Sequence, residues 1–311
     1  MASDSKSEKS NRISIWAHIA ALTTVAMWGY SFVSSKVLLE NGMGPTEIYV
    51  CRFLIAYLIV IVISHTRLFA NSLRDEILFM LCGLCAGSLY FIAENTALQY
   101  TLTTNVSLLT SLSPLITAML VATVYRTEKV GTGMWIGSAI AIVGVACVVF
   151  NSSSDLRVQP LGDFLALAAA FSWSFYSLVL RKLNANYDVW FISRKTFFYG
   201  LVTAVPFLLF EDRVVNPVDI FTVPALWGNL LFLGLGASTI AYVLWALSVK
   251  NMGAVKANNY MYLQSIITML VSAVVLHETV NFIGYLGVGL ILGGLWLGDY
   301  LNNRLDRRSL R

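Results

Sequence analysis

The residues best suited to chemistry lie between Tyr90 and Pro114, where one carboxylate and several amide and hydroxyl side chains interrupt an apolar segment. Glu94 is the sharpest of them, since it follows a long and largely apolar run. A charged side chain at the middle of a membrane helix costs roughly 2.5–3.5 kcal/mol on insertion scales, so such a residue is rarely kept without a use. Glu94 is therefore predicted to take up and release a proton during a functional cycle. The alternative is a structural contact with Arg52 or Lys36.

Amide side chains form a second candidate group, which comprises Asn95, Asn105, Asn258 and Gln264. The first two lie in the same segment as Glu94, and the last two lie in a weak echo of that segment from Leu244 to Gln264. Such groups either line a polar cavity or form hydrogen bonds between helices as packing contacts. The spacing alone leaves both interpretations open.

Aromatic side chains form the third candidate group: Trp28, Tyr30, Tyr90, Trp173, Tyr176, Tyr242 and Trp245. They fall within apolar segments rather than only at the ends, where an interfacial belt would place them. Aromatic rings near the middle of a span are predicted to line a site for a flat or amphipathic ligand. The alternative is ordinary packing.

A further set is interpreted as gating or structural: Lys36, Arg52, Pro114, Glu128 and Glu278. Glu128 and Glu278 follow the fourth and ninth apolar segments, so they either form a gate or are solvated helix ends. The three histidines are scattered and the cysteines lie inside apolar runs, so neither a metal nor a cofactor is predicted.

Composition places these residues in a membrane protein. The chain has 311 residues, of which 57% are hydrophobic and 12% charged, and its mean hydropathy is +0.71. A soluble domain carries about 25% charged residues, and a span needs about 20 apolar residues. The apolar segments are approximately Ile15–Leu38, Glu47–Ser64, Glu76–Leu98, Thr104–Tyr125, Gly131–Phe150, Leu161–Lys182, Val189–Phe210, Val223–Val249, Ala254–Leu276 and Phe282–Leu301. No basic stripe typical of nucleic-acid binding is present.

The connecting segments predict the orientation. If the N-terminus is cytoplasmic and the spans alternate, nearly all Lys and Arg residues of the connections fall inside, and only Arg157 and Arg213 fall outside. Positive charge on the cytoplasmic side is the usual pattern. Both termini are therefore predicted to be cytoplasmic.

An internal repeat divides the chain. Aligning Glu128 with Glu278 also aligns Gly137 with Gly287, so each half holds five spans. An odd number makes the second half enter the membrane from the opposite side, and such inverted pairs enclose a cavity near the midplane. The prediction is an all-α integral membrane protein with ten transmembrane helices arranged as two inverted five-helix repeats. Its parts are a disordered cytoplasmic N-terminus (1–12), the first repeat (13–151), a linker (152–160), the second repeat (161–301) and a cytoplasmic basic tail (302–311).

Several ordered motifs carry a family resemblance over about Ile15 to Tyr300. They are AMWGYSFVSSK from Ala26, PTEIYVCRFLIA from Pro45, ENTALQYT from Glu94, TNVSLLTSLSPLIT from Thr104 and VLHETVNFIGYLGVGLILGG from Val275. The chain thus resembles the EamA-like family of the drug/metabolite transporter superfamily. One departure is that relatives often have a proline in the ninth span where this chain has Gln264, although Pro114 is present in the first half.

The resemblance implies a secondary active transporter that exports amino acids, related metabolites or drugs by alternating access coupled to protons, with no enzymatic activity. A passive facilitator with the same fold is the alternative. The partners it implies are a small-molecule substrate, protons and membrane lipid, but no nucleic acid, and the protein would be a monomer or a homodimer. The expected location is the inner membrane of a bacterium.

Overall fold

The helices account for all the regular structure in the part of the chain that is described. A computed structural model describes residues 2–65, 67–125, 132–151, 160–211, 215–252, 257 and 260–309. In chain order the helices are α1 (Ala2–Glu40), α2 (Pro45–Ile63), α3 (Leu73–Gly83), α4 (Leu89–Tyr100), α5 (Thr103–Thr110), α6 (Ser113–Tyr125), α7 (Thr132–Asn151), α8 (Pro160–Leu183), α9 (Val189–Leu208), α10 (Pro217–Thr222), α11 (Pro224–Leu231), α12 (Ala241–Met252), α13 (Met261–Val275) and α14 (Phe282–Ser309).

Two long helices contain π-helical segments at matching places. The five residues Leu84–Ser88 join α3 to α4 and form the first π segment. The nine residues Phe232–Ile240 join α11 to α12 and form the second π segment. Such turns are rare and often occur at functional sites, because they widen the helix and redirect its side chains.

Length and composition suit several helices to a membrane. Within the described residues, four helices are long and apolar enough to cross one: Pro45–Ile63, Leu73–Tyr100, Pro160–Leu183 and Pro224–Asn251. Shorter apolar helices cover Trp135–Gly144, Met261–Val275 and Phe282–Gly298. Because helices satisfy their own backbone hydrogen bonds, they can lie in lipid without a polar partner. The prediction of an all-helical membrane protein is confirmed.

The contacts between helices repeat from one half to the other. α1 packs against α12 and α13, and its counterpart α8 packs against α4 and α6. α2 contacts the second π segment, and its counterpart α9 contacts the first. α2 with α9 and α7 with α14 each pair a helix with its own counterpart. α5, from the fourth apolar segment, packs against α13, from the ninth. This pattern is that of two repeats related by an approximate two-fold axis, as the sequence predicts.

Glycines bring α7 and α14 into close contact. A Cβ at Gly137 would overlap the backbone of Gly294 and Gly298, and one at Gly144 would lie 2.8 Å from the carbonyl oxygen of Gly287. Small residues allow backbones to approach in this way. These glycines therefore serve the packing of two helices within the chain.

α1 begins at Ala2. Two details differ from the sequence predictions. The fourth apolar segment is broken between α5 and α6, where Pro114 lacks the N–H that a continuous helix needs. The short helix α10 is an addition, with Pro217 at its first position.

Candidate functional site

A small cavity lies where α1, α2, α4, α8, α12 and α13 converge. Its polar lining consists of Ser31, Arg52, Tyr90, Glu94, Tyr242 and Gln264, and its apolar lining of Trp28, Phe32, Phe91, Trp173 and Met261. The volume is about 20 Å³, which is room for about one water molecule. Both halves of the chain contribute, as the repeat predicts.

Arg52 brings a positive charge into this cavity from α2. Its side chain is 1% exposed, and its Nε donates to the Ser238 Oγ at 2.8 Å. The guanidinium also stacks over the Phe91 ring, 4.6 Å from the centroid. Its Nη1 is buried without a hydrogen-bond partner among the described residues. Arg52 is therefore anchored at one nitrogen and keeps another available.

Glu94 brings a negative charge from α4 and is 3% exposed. The Tyr90 hydroxyl, one turn earlier on the same helix, faces the carboxyl, and the guanidinium of Arg52 attracts it from α2. Lys36 is not its partner, because Lys36 Nζ donates to the Leu98 carbonyl at 2.6 Å. Two opposite charges thus lie buried in one cavity, an arrangement that is costly unless geometry or a ligand compensates it.

Aromatic rings surround these charges. Trp28 lies at the centre, with ring centroids 5.6 Å from Trp173, 5.6 Å from Tyr242 and 5.2 Å from Trp245. The Trp28 Nε1 donates to the Ala237 carbonyl at 3.0 Å, so the second π segment fixes its orientation. Tyr176 packs behind Trp173 at 5.1 Å. These rings form an apolar surface next to the buried charges of Arg52 and Glu94.

Several buried polar atoms of the cavity lack partners. Within the described part of the chain these atoms include Trp173 Nε1, the Tyr242 hydroxyl, Gln264 Oε1 and Arg52 Nη1. A buried polar group without a partner costs about 1–3 kcal/mol. A set of them around one cavity is the arrangement expected of a site that binds a polar ligand.

Both halves of the chain match a known protein family. Residues 15–150 and 160–298 each match the EamA-like transporter family. The chain belongs to this family. An EamA-like transporter is a membrane transport protein and not an enzyme, in agreement with the sequence prediction.

Relatives of this EamA-like transporter are distant but cover it almost fully. An uncharacterized transporter of Archaeoglobus fulgidus is 26% identical over 90% of this chain and 96% of its own length. A probable amino-acid metabolite efflux pump of Escherichia coli is 24% identical over 91% and 94%. A probable terminal-alkyne amino-acid exporter of Streptantibioticus cattleyicolor is 25% identical over 95% and 94%. One crystal structure, at 18% identity, superposes with a TM-score of 0.66 over 93% of this chain and 98% of its own, so the fold is shared.

Five of the predicted cavity residues of this EamA-like transporter lie outside the lining: Tyr30, Asn95, Asn105, Tyr176 and Trp245. Tyr176 and Trp245 still pack against lining tryptophans, at 5.1 Å from Trp173 and 5.2 Å from Trp28 between ring centroids. Tyr30 is 38% exposed and packs against Phe232 at 4.8 Å. Two residues after Trp28, it points to the opposite side of α1. Asn95 Nδ2 donates to the Pro45 carbonyl at 2.9 Å, and Asn105 Nδ2 to the Thr101 Oγ1 at 3.4 Å. Asn258 lies outside the described residues.

Of the residues interpreted as gating or structural, Arg52 lines the cavity and Glu278 does not. The Glu278 carboxylate accepts hydrogen bonds from the backbone N–H groups of Thr103, at 2.8 Å, and Thr104, at 3.2 Å. A carboxylate at a helix N-terminus is favourable, because the N–H groups there lack partners in the helix. Glu278 thus joins the end of α13 to the start of α5. Glu128, its counterpart in the repeat, lies outside the described residues.

Sequence reasoning missed Ser31, Phe32, Phe91 and Met261 of the lining, and Ser238, which anchors Arg52. The internal repeat could have pointed to Ser238, because the alignment of Glu128 with Glu278 also aligns Ser88 with Ser238. Both serines lie in π segments. Ser31 and Phe91 carry no such signal, since serines and phenylalanines are common in apolar helices.

Proposed function

We propose that this transporter exports small zwitterionic metabolites of the amino-acid class and exchanges each for a proton at Glu94. The observation that carries the proposal is the pair of buried opposite charges, Arg52 and Glu94, in one cavity with unpartnered polar atoms around it. The names of the E. coli and S. cattleyicolor relatives, which refer to amino acids, support the same substrate class.

A zwitterion complements the groups of the cavity. Arg52 Nη1 has no partner among the described residues, and a guanidinium donor forms a strong charge-assisted bond to a carboxylate. Glu94 and the Gln264 Oε1 supply acceptors for an ammonium group. Trp28 and Trp173 supply an apolar wall for the rest of the ligand. The lining thus supplies a complementary group for each part of an amino acid.

The same carboxylate explains the exchange. An ionised Glu94 can pair with the ammonium group of a substrate, and a protonated Glu94 cannot. Substrate and proton therefore compete for one group, which is the physical basis of antiport between them. In the alternative, a passive facilitator, Glu94 only orders the helices.

Access to the cavity requires movement. A volume of about 20 Å³ admits about one water molecule but no amino acid, so the helices around it must separate for binding. Rocking of the two repeats about the cavity would open one end at a time. We place the protein in the inner membrane of a bacterium with both termini in the cytoplasm, on the distribution of Lys and Arg.

The test is untargeted metabolite profiling of the medium around cells that express the wild type or Glu94→Gln at matched protein levels. Glu40→Gln is the matched control, since Glu40 is an exposed carboxylate at the end of α1. We expect compounds with an amino and a carboxyl group to be enriched by the wild type and the control, and not by Glu94→Gln. Equal enrichment by all three proteins would contradict the role of Glu94, and no enrichment by the wild type would contradict export.

A further inference from the structure

The lining of the cavity contains one tryptophan and one tyrosine from each repeat. Trp28 and Tyr90 come from the first repeat, and Trp173 and Tyr242 come from the second. An offset of 145 residues in the internal repeat aligns Trp28 with Trp173. Each of the four side chains is at most 7% exposed, so the environments of their polar atoms can be compared directly.

The polar atoms of the two first-repeat rings are bonded within the protein. The Trp28 Nε1 donates to the Ala237 carbonyl at 3.0 Å. The Tyr90 hydroxyl forms a hydrogen bond with the Glu94 carboxyl. Both atoms therefore already have a partner before any ligand binds.

The polar atoms of the two second-repeat rings differ from them. The Trp173 Nε1 and the Tyr242 hydroxyl are buried and have no hydrogen-bond partner in the described part of the chain. Buried tryptophan and tyrosine side chains usually find a partner for these atoms. The two rings are neighbours, with centroids 6.2 Å apart and planes at 72°. The second repeat thus brings two adjacent polar atoms without partners to one cavity.

The chemistry of these two atoms specifies the group that they can bind. An indole N–H only donates, whereas a phenolic hydroxyl both donates and accepts. The ammonium group of an amino acid also only donates, so it cannot bond to the Trp173 Nε1. The carboxylate is better matched to Arg52, because a charged donor binds a carboxylate more strongly than a neutral one does. The acceptor that remains is a polar group on the side chain of the substrate.

The position of Tyr242 places this side-chain group close to the α-carbon of the substrate. Tyr242 interacts electrostatically with both Arg52 and Glu94, the residues proposed to hold the carboxylate and the ammonium group. A group that bonds to Tyr242 therefore lies near the charged end of the amino acid. This geometry fits a short polar side chain.

We propose that Trp173 and Tyr242 form a side-chain subsite and that the substrates are amino acids with a hydrogen-bond acceptor close to the α-carbon. This inference rests on the proposed function, because it adds a subsite to the charge pair that holds the amino and carboxyl groups. Arg52 and Glu94 recognise what all amino acids share, and the aromatic pair of the second repeat distinguishes among them.

Ring packing alone is a weaker explanation for these two residues. Phenylalanine at both positions would present a similar apolar surface without burying a polar atom that lacks a partner. An aliphatic substrate side chain would leave both atoms unpaired, and this cost gives a hydrogen-bonding site strong selectivity against analogues that lack the bonding group. The subsite therefore explains both the unpaired atoms and why they are kept.

Two pairs of amino acids of matching shape test the subsite. Asparagine resembles leucine and threonine resembles valine, and only the first member of each pair carries a side-chain acceptor. Isothermal titration calorimetry with the purified full chain measures the Kd of each amino acid. We expect the wild type to bind asparagine and threonine about tenfold more tightly than leucine and valine, a difference of about 1.4 kcal/mol.

Trp173→Phe and Tyr242→Phe each remove one polar atom of the subsite and keep an aromatic ring. Each should lower the preference about threefold, the effect of one typical hydrogen bond, and the double variant should abolish it. Trp28→Phe is the matched control, because it makes the same ring change in the same cavity but removes an N–H that is already bonded to Ala237. It should keep the full preference for asparagine and threonine.

The outcomes separate this inference from the proposed function. Equal affinity within each pair for the wild type, or a preference that persists in the double variant, would overturn the subsite and leave the amino-acid class in place. Weaker binding of all four amino acids by Trp173→Phe would assign its N–H to the shared carboxylate and would also overturn the subsite.

Two further results complete the test. Loss of the preference in Trp28→Phe would attribute it to general packing of the cavity and would contradict the subsite. If none of the four amino acids binds to the wild type, the amino-acid class of the proposed function is wrong, and the subsite with it. Retained binding of leucine and valine shows that a variant is folded.

Discussion

The two π segments occupy the same place in the two repeats but bind different partners. In the first, the Ser88 Oγ shares a hydrogen bond of 2.8 Å with Thr203 of α9. In the second, the aligned Ser238 accepts from the Nε of Arg52 at 2.8 Å. The contact between a π segment and the second helix of the other repeat is preserved, while a neutral partner on one side becomes a charged partner on the other.

This difference indicates how a symmetric fold acquires a polar site. The alignment that pairs the two serines also places Glu94 on Leu244, so the carboxylate has no counterpart in the second repeat. Arg52 and Glu94 both come from the first repeat, and the second repeat supplies Trp173, Tyr242 and the anchoring serine. The repeat determines where the helices lie, and a few unmatched side chains determine what the cavity binds.

Removing the charge of Arg52 should have the largest effect. In Arg52→Met, Glu94 stays buried without its counter-charge, and breaking one partner of a buried pair costs about 3–5 kcal/mol. We expect loss of transport and a lower free energy of unfolding, measured by detergent-induced unfolding of the purified protein. Arg52→Met combined with Glu94→Gln should recover much of that stability. Equal stability of the double and single variants would show that the two charges do not interact.

The two serines test the comparison directly. Ser238→Ala removes an acceptor from a charged donor, a loss of about 1.5–3 kcal/mol, whereas Ser88→Ala removes a neutral hydrogen bond, a loss of about 0.5–1.5 kcal/mol. The same unfolding measurement should therefore rank Ser238→Ala below Ser88→Ala in stability, and transport should fall only in the former. The reverse order would mean that the charge of Arg52 is stabilised elsewhere.

Substitutions of the two cavity tryptophans should have the smallest effects on stability. Replacing Trp28 should lower stability slightly, whereas replacing Trp173 should not. Trp28→Phe loses the hydrogen bond to the Ala237 carbonyl, about 1 kcal/mol. Trp173→Phe removes an indole N–H that has no partner among the described residues, so stability should be unchanged or slightly higher while transport falls. A destabilised Trp173→Phe with normal transport would assign that N–H a structural role.

Periodicity and charge predict the helical membrane fold and the repeat, because apolar runs and loop charges depend only on local composition. They also predict Glu94 and Trp173 as cavity residues, since a carboxylate or a central tryptophan is unusual in an apolar helix. The prediction for Tyr30 does not match the structure, because the side of a fully apolar helix that faces inward has no polar pattern to mark it. Composition also gives no sign of the π segments. Ser238 lies in the second of them and accepts a hydrogen bond from Arg52, so this contact could not be predicted either.

The most direct test of the account is transport into inverted membrane vesicles of a labelled compound identified by the metabolite profiling, with and without an imposed pH gradient. For the wild type we predict accumulation above the external concentration only when the vesicle interior is acidic, and collapse of that accumulation by a protonophore. Glu94→Gln should not accumulate the compound. Wild-type transport that only equilibrates the compound, or accumulation by Glu94→Gln equal to that of the wild type, would contradict proton exchange at Glu94.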